Sequence, residues 1–223
     1  MNLFRKTEPK LGSSKWLVQT EKKYGGYHKN IKRNKVSKHD HRSAEEIAEG
    51  GMIGGDRMSP KHHGYAKKYA EYLSEFPKDR EILIAEFGIL QGVGLAIWCD
   101  LFPNALIYGF DIDLSHIKNN MDSLIKLGAF TNNKPILHEY DQLEKQDSYL
   151  DLILSSKKID ICIDDGLHSN ESILTTLESV LPHLNKGAVY FIEDNKHVHT
   201  EIKKRYNHLL VENHGKLTIL KGF

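Results

Sequence analysis

The sequence predicts an α/β domain built on a doubly wound, mostly parallel sheet. Three observations carry that expectation. From residue 81 onward, short apolar runs alternate with longer amphipathic stretches, the β-α-β grammar of a parallel sheet. Fully apolar runs among them, Ile82-Leu83-Ile84-Ala85 being the clearest, fit burial on both faces. Each run also ends on a carboxylate, on the side where open α/β sheets bind their ligands.

The expected strands are Ile82–Glu86, Leu106–Asp111, Pro135–Tyr140, Ile159–Asp164 and Ala188–Glu193. Helices are expected between them at Leu95–Leu101, Ser115–Leu127, Gln142–Leu154 and Ser172–Leu184, with a last helix over His199–Glu212 and one terminal strand over Leu217–Leu220. Upstream, Tyr65, Tyr69, Tyr72 and Leu73 fall at helical spacing within His63–Phe76 and read as a packed face. Residues 1–55 are polar, Lys-rich and punctuated by Gly25-Gly26, Gly50-Gly51 and Gly54-Gly55. One short helix, Ser43–Glu49, is expected there, with Ser43 and Glu46 as a capping box. Trp16, Leu17, Val18, Tyr24 and Tyr27 are too few for a core of their own. The expected organisation is therefore a basic N-terminal extension over 1–55, wrapping a domain over 56–223.

The chain has 223 residues, 39% of them hydrophobic and 27% charged, enough to bury a core and too ordered in composition for a collagenous or low-complexity chain. No apolar run approaches the ~20 residues that span a bilayer. The start shows no leader-like apolar segment, and two cysteines, Cys99 and Cys162, make no disulfide framework. A reduced, cytoplasmic setting is the expectation. The net charge of +1 conceals a division: residues 1–42 hold 12 basic and 3 acidic side chains, whereas the remainder holds 19 basic and 27 acidic. A basic arm thus precedes an acidic body.

The first strand runs into Glu86-Phe87-Gly88-Ile89-Leu90-Gln91-Gly92-Val93-Gly94. Its glycines allow a tight turn and close approach to a ligand, but the order is E-x-G-x-x-x-G, not the dinucleotide pattern G-x-G-x-x-G. Asp111 follows Glu86 by 25 residues at the end of the second strand, where a carboxylate can accept both hydroxyls of a ribose. An acid inside the loop would repel a diphosphate and suits a ligand bearing an ammonium and a sulfonium. Together these features resemble motif I and the ribose acid of class I S-adenosylmethionine-dependent methyltransferases, which have a Rossmann-like sheet.

Further segments narrow the resemblance. Ile163-Asp164-Asp165-Gly166-Leu167-His168, followed by Tyr190-Phe191-Ile192-Glu193-Asp194, is similar to the metal-dependent macrocin/mycinamicin-type sugar O-methyltransferases. Asp141-Gln142, Gly54-Gly55-Asp56-Arg57 and His63-Gly64-Tyr65 resemble other segments of that family. The likeness covers roughly residues 54–195. It implies methyl transfer from S-adenosylmethionine to a sugar hydroxyl on a glycan or glycoside, assisted by a divalent metal, Mg²⁺. Glu86, Gly88, Gly92, Asp111, Asp141 and Asp164 would hold the cofactor; Asp165 with Glu193 and Asp194 would hold the metal; His168, aided by Asp165, would act as catalytic base. Which of Glu193 and Asp194 ligates stays open. The family closes on a strand hairpin, and only one terminal strand is legible here, so either the sheet edge is abbreviated or the chain is a domain of a longer protein.

Independent of the resemblance, carboxylates converging at neighbouring strand ends call for a cation, and oxygen donors suit Mg²⁺, Mn²⁺ or Ca²⁺. His62-His63, His197 and His199 have no cysteine at ligand spacing and read as surface residues, not as a zinc site. Two rival functions remain. An RNA methyltransferase would use the basic arm, with its interleaved aromatics, to grip a strand. A non-catalytic S-adenosylmethionine-binding scaffold would keep the acidic cluster for structure alone. An arm clasping the acidic body ranks above nucleic-acid binding. The expected partner is a sugar with vicinal hydroxyls; no membrane partner is expected, and oligomeric state is not legible.

Overall fold

The structure, a computed structural model, describes residues 8–223; the basic Arg5 and Lys6, and the stretch inspected for a leader, lie outside the described residues. In chain order the elements are α1 (Ser14–Tyr24), β1 (His28–Ile31), α2 (Ala44–Glu49), β2 (Met52–Gly54), α3 (Ala66–Leu73), β3 (Leu83–Phe87), α4 (Val93–Leu101), β4 (Leu106–Asp111), α5 (Ser115–Lys126), β5 (Ile136–Glu139), α6 (Asp147–Leu154), β6 (Ile159–Asp164), α7 (Asn170–Val180), β7 (Leu184–Ile192), α8 (Val198–Arg205), β8 (Leu210–His214) and β9 (Leu217–Lys221). The main sheet has seven strands in the order β5-β4-β3-β6-β7-β9-β8. Strands β3 to β7 pair in parallel, whereas β9 runs antiparallel to both β7 and β8.

Period-2 alternation divides the strands' side chains between two apolar layers. Ile84, Ile161, Ile163, Val189 and Phe191 face one layer with Trp98, Leu95 and Tyr69. Leu83, Ala85, Phe87, Cys162, Tyr190 and Ile192 face the other with Leu150, Leu177 and Val198. The chain winds outward from β3 to β5, then returns to lay β6 on the other side of β3. Between β3 and β6 the connections diverge, and a crevice opens at their carboxyl ends.

Several elements depart from the expectation, among them β1 and β2, which pair as a two-stranded antiparallel sheet within the extension. Helix α1 was not legible because two of its four buried positions, Thr20 and Glu21, are polar and mask the stripe that Leu17 and Tyr24 form with them. Leu17 and Tyr24 join the same apolar layer as Trp98, and the Tyr24 hydroxyl donates to Asp100 at 2.5 Å. Glu21 is buried because its carboxylate caps the backbone N–H groups of Met58 (2.8 Å) and Ser59 (3.1 Å). The last helix ends at Arg205, and β8 occupies residues expected to be helical. As an outer strand β8 alternates exposed and half-buried residues, with Leu210 66% exposed, so no continuous apolar run marks it. The terminal hairpin is therefore present and the sheet edge is not abbreviated.

The short helix after Ser43 is formed as expected, capping box included. It lies in a strap, residues 32–51, joining β1 to β2. Its side chains reach across the carboxyl ends of the sheet: Asn34 donates to Asp113 (3.4 Å), Lys35 pairs with Glu139 (2.8 Å), Lys38 pairs with Glu144, and His41 lies 3.9 Å from Glu171. Among the described residues, no helix is long and apolar enough to cross a membrane.

Candidate active site

A cavity of about 440 Å³ fills the crevice. Its floor is the loop Gly88–Gln91 after β3, with Asp111 to Asp113 after β4, Asp141 and Gln142 after β5, and Asp165 to His168 after β6; the strap supplies its roof. The first turn needs glycine. Gly88 has φ +85°, and a Cβ there would lie 2.2 Å from the backbone oxygen of Asp165. Asp111 holds the loop that follows: Ile89 N–H (2.9 Å) and Leu90 N–H (3.0 Å) donate to its Oδ2, and Asp113 N–H (3.0 Å) donates to Oδ1. Burial raises the Asp111 carboxyl above its ordinary range against these bonds. Two oxygens carrying three bonds retain a lone pair for a further hydroxyl donor.

Beneath the loop lies a cation absent from the sequence-based assignment. Arg57, on the segment between β2 and α3, is buried, and its Nη2 donates to Glu86 Oε1 (2.7 Å) and Asp165 Oδ2 (2.6 Å). Its Nε donates to Glu193 (3.0 Å), which also accepts the Tyr69 hydroxyl. Trp98 Nε1 completes Glu86 at 3.0 Å. Burial alone would depress the Arg57 pKa, but the charges of Glu193, Glu86 and Asp165 outweigh it and hold the guanidinium well above its ordinary range. Burial pushes Glu86 and Glu193 up, with Arg57 pulling against it. The remaining nitrogen, Nη1, is buried without a hydrogen-bond partner among the described residues, and a Cβ on Gly94 would lie 2.7 Å from it.

Asp165, His168 and Asp194 form the second constellation: one ligand atom of each lies within 4.8 Å of the others. Asp165 Oδ1, the oxygen not taken by Arg57, faces His168 Nε2 at 3.9 Å. His168 itself sits at φ +62°, an uncommon conformation for a non-glycine residue, and Asn195 clamps it by donating to its carbonyl at 2.9 Å. Asp194 is held by the Tyr65 hydroxyl (2.7 Å) and by His63 Nδ1 (3.0 Å), both on Oδ1. The other ring nitrogen of His63 bonds Asp56 at 3.0 Å. That bond, with the charges of Asp194 and Asp56, raises the His63 pKa despite burial.

The expected site residues thus separate. Glu86, Gly88, Asp111, Asp141, Asp165, His168 and Asp194 line the cavity. Gly92 lies below the loop, where a Cβ would meet Ile117 Cδ1 at 2.6 Å, so packing against α5 occupies it. Asp164 is buried under the floor, accepting from Gln142 Nε2 (2.7 Å) and the Tyr190 hydroxyl (3.3 Å). Glu193 turns inward to Arg57 and Tyr69, which leaves Asp194 as the strand-end acid that faces Asp165 and His168. The tyrosine helix proves to be a packed face whose hydroxyls reach the site: Tyr69 stacks on Phe191 at 4.3 Å while its oxygen meets Glu193.

Asp164 carries a pH signature. Burial raises its carboxyl to about 6, the Gln142 bond opposing. A raised carboxylate pKa costs stability above the folded value, and the cost is relieved as pH falls toward the unfolded value near 4. The contribution of Asp164 to the unfolding free energy is therefore expected to decline as pH rises from about 4 to 6, and Asp164→Asn is expected to remove that part of the slope. Urea titrations at several pH values read the slope; an unchanged slope in Asp164→Asn would assign it elsewhere.

No family model matches the chain. The solved structure of the MycE methyltransferase from the mycinamycin biosynthetic pathway, in complex with Mg and SAH, superposes with a TM-score of 0.58 at 18% identity, over 74% of this chain and 51% of that one. The fold is that of a class I methyltransferase. In sequence, the chain is similar to curated O-methyltransferases. It is 30% identical over 142 residues to 8-demethyl-8-alpha-L-rhamnosyl tetracenomycin-C 2'-O-methyltransferase of Streptomyces olivaceus, covering 59% of this chain and 33% of that protein. It is 29% identical over 140 residues to demethylmacrocin O-methyltransferase of Streptomyces fradiae, covering 59% of this chain and 32% of that protein. The matched segment thus spans about a third of the length of these curated relatives.

Proposed function

We propose that this class I methyltransferase chain transfers a methyl group from S-adenosylmethionine to a sugar hydroxyl, with a divalent cation, Mg²⁺, at Asp165 and Asp194. The observation that carries the reading is that the Gly88–Asp111 cradle and the Asp165–His168–Asp194 group share one cavity. The side chains present fit both groups. A nucleoside with a charged amino-acid tail suits an acid with a spare lone pair, a loop with no Cβ at its turn and a buried guanidinium nitrogen lacking an acceptor among the described residues. Two carboxylates beside an imidazole suit a hard divalent ion.

When bound, the cofactor supplies an electrophilic methyl group and the ion supplies positive charge beside the acceptor hydroxyls. The protein's own part is binding, orientation and proton handling. Asp111 would accept one ribose hydroxyl on Oδ1, and Arg57 Nη1 would receive the tail carboxylate. Asp165 and Asp194 would hold the ion. His168 Nε2 would take the proton of the reacting hydroxyl. Holding the reactants in line accounts for much of the expected acceleration.

One relative named above is, by its name, a 2'-O-methyltransferase of a rhamnosyl compound, which supports a sugar acceptor. The RNA reading finds less support: Lys35, Lys38 and Arg42 of the basic arm are paired with Glu139, Glu144 and Asp40. The test couples calorimetry to turnover. S-adenosylhomocysteine is expected to bind with or without EDTA, whereas methyl transfer to a vicinal-diol sugar is expected to stop in EDTA and return with Mg²⁺. Turnover that survives EDTA would remove the metal, and absence of S-adenosylhomocysteine binding would remove the enzyme assignment.

A further inference from the structure

The cavity's charges are unevenly matched. Arg57 is neutralised by three carboxylates, and Arg42 is held by Asp40 at 2.5 Å. Lys35 has Glu139. Two cavity-lining cations lack such a partner among the described residues, Arg33 on the strap and Lys216 in the turn between β8 and β9. Arg33 is half-buried and meets only a neutral acceptor, Gly50 O at 3.1 Å. Burial, with the neighbouring charge of Arg42, weighs against its protonated form, and Asp40, already held by Arg42, offsets only part of this. Lys216 stands at the other constellation. Its carbonyl accepts from Asn195, the residue after Asp194, at 3.2 Å, and its charge is felt at His63.

An arginine kept half-buried with no carboxylate in ion-pair contact recovers only part of its desolvation inside the chain. Its fork suits a two-oxygen acceptor such as a phosphate, a sulfate or a carboxylate. A divalent ion would satisfy Asp165 and Asp194 but would leave both cations unmatched. Resting on the sugar-methylation reading, we propose that the acceptor is an anionic sugar, one bearing a phosphate, sulfate or carboxylate group, and that Arg33 and Lys216 select it. A neutral sugar would bring nothing for either cation to meet.

The test uses the full chain carrying S-adenosylhomocysteine and Mg²⁺. Hexoses, their 6-phosphates and the matching hexuronates are titrated by calorimetry. At least one anionic sugar is expected to bind tenfold or more tightly than its neutral parent. Arg33→Gln and Lys216→Gln are each expected to cut that ratio at least threefold, and Lys216→Gln, an exposed position, guards against misfolding of the other variant. No anionic preference in the wild type, or a preference untouched by both variants, overturns the proposal. So does a tenfold loss of S-adenosylhomocysteine affinity in the variants, which would assign the cations to the cofactor. Since the readout is binding, its failure is separable from that of the transfer reading. Methyl transfer to neutral sugars without anionic preference sinks only the anion site, and anionic binding without transfer to any sugar sinks only the reaction.

Discussion

Replacing Arg57 by methionine is expected to cost on the order of 3–5 kcal/mol of folding stability, the usual consequence of leaving buried charges without their partner. For a chain of this size that corresponds to a fall in Tm of roughly 10 °C. Methionine keeps much of the stem packed beside Trp98, whose ring lies 5.7 Å from the guanidinium carbon, so the loss reports charge more than volume. Glu86, Asp165 and Glu193 would then face one another across the space the guanidinium fills. The pH dependence has a definite sign. Burial already raises Glu86 and Glu193, and losing the cation raises them further. The penalty should therefore be full at neutral and alkaline pH and shrink as acid protonates the pair. Thermal unfolding across pH reads both quantities. A loss under about 1 kcal/mol at neutral pH would mean that the three acids do not depend on Arg57.

His168→Ala is expected to lower the rate of methyl transfer by roughly 10²–10⁴, the range for a positioned base. The side chain is well placed to accept a proton. Its Nε2 faces Asp165 across 3.9 Å, and the backbone is clamped in a conformation that only surrounding contacts sustain. Cofactor affinity should survive, because Asp111 and the Gly88 turn lie on other strands. Part of the lost rate should return at high pH, where hydroxide replaces the imidazole. Steady-state kinetics beside S-adenosylhomocysteine calorimetry separates the two effects. A loss smaller than tenfold would take the base role away from His168.

Much of the sheet was legible because its strands are buried on both faces, so hydrophobicity alone marks β3, β4 and β6. Legibility failed where burial is partial or polar. Helix α1 buries Thr20 and Glu21 among its contact residues, and β8 shows one side to solvent. The same distinction runs through the site. Asp111, Asp165 and His168 could be placed from sequence because strand ends converge in this topology. The inward turn of Glu193 could not, since it is set by Arg57 and Tyr69, which lie 136 and 124 residues away in the chain. Arg57 did lie in a noted segment, Gly54-Gly55-Asp56-Arg57, but nothing local says that a guanidinium there reaches three strands.

The strap differs in kind from the cluster below it. Its rivets to the sheet, Lys35 to Glu139 and Lys38 to Glu144, are open to water, where such pairs contribute little and are screened over ~8 Å at physiological salt. The Arg57 cluster, largely buried, is screened far less. The molecule thus has a floor held by ion pairs that salt weakens little and a ceiling whose fastening is graded by it.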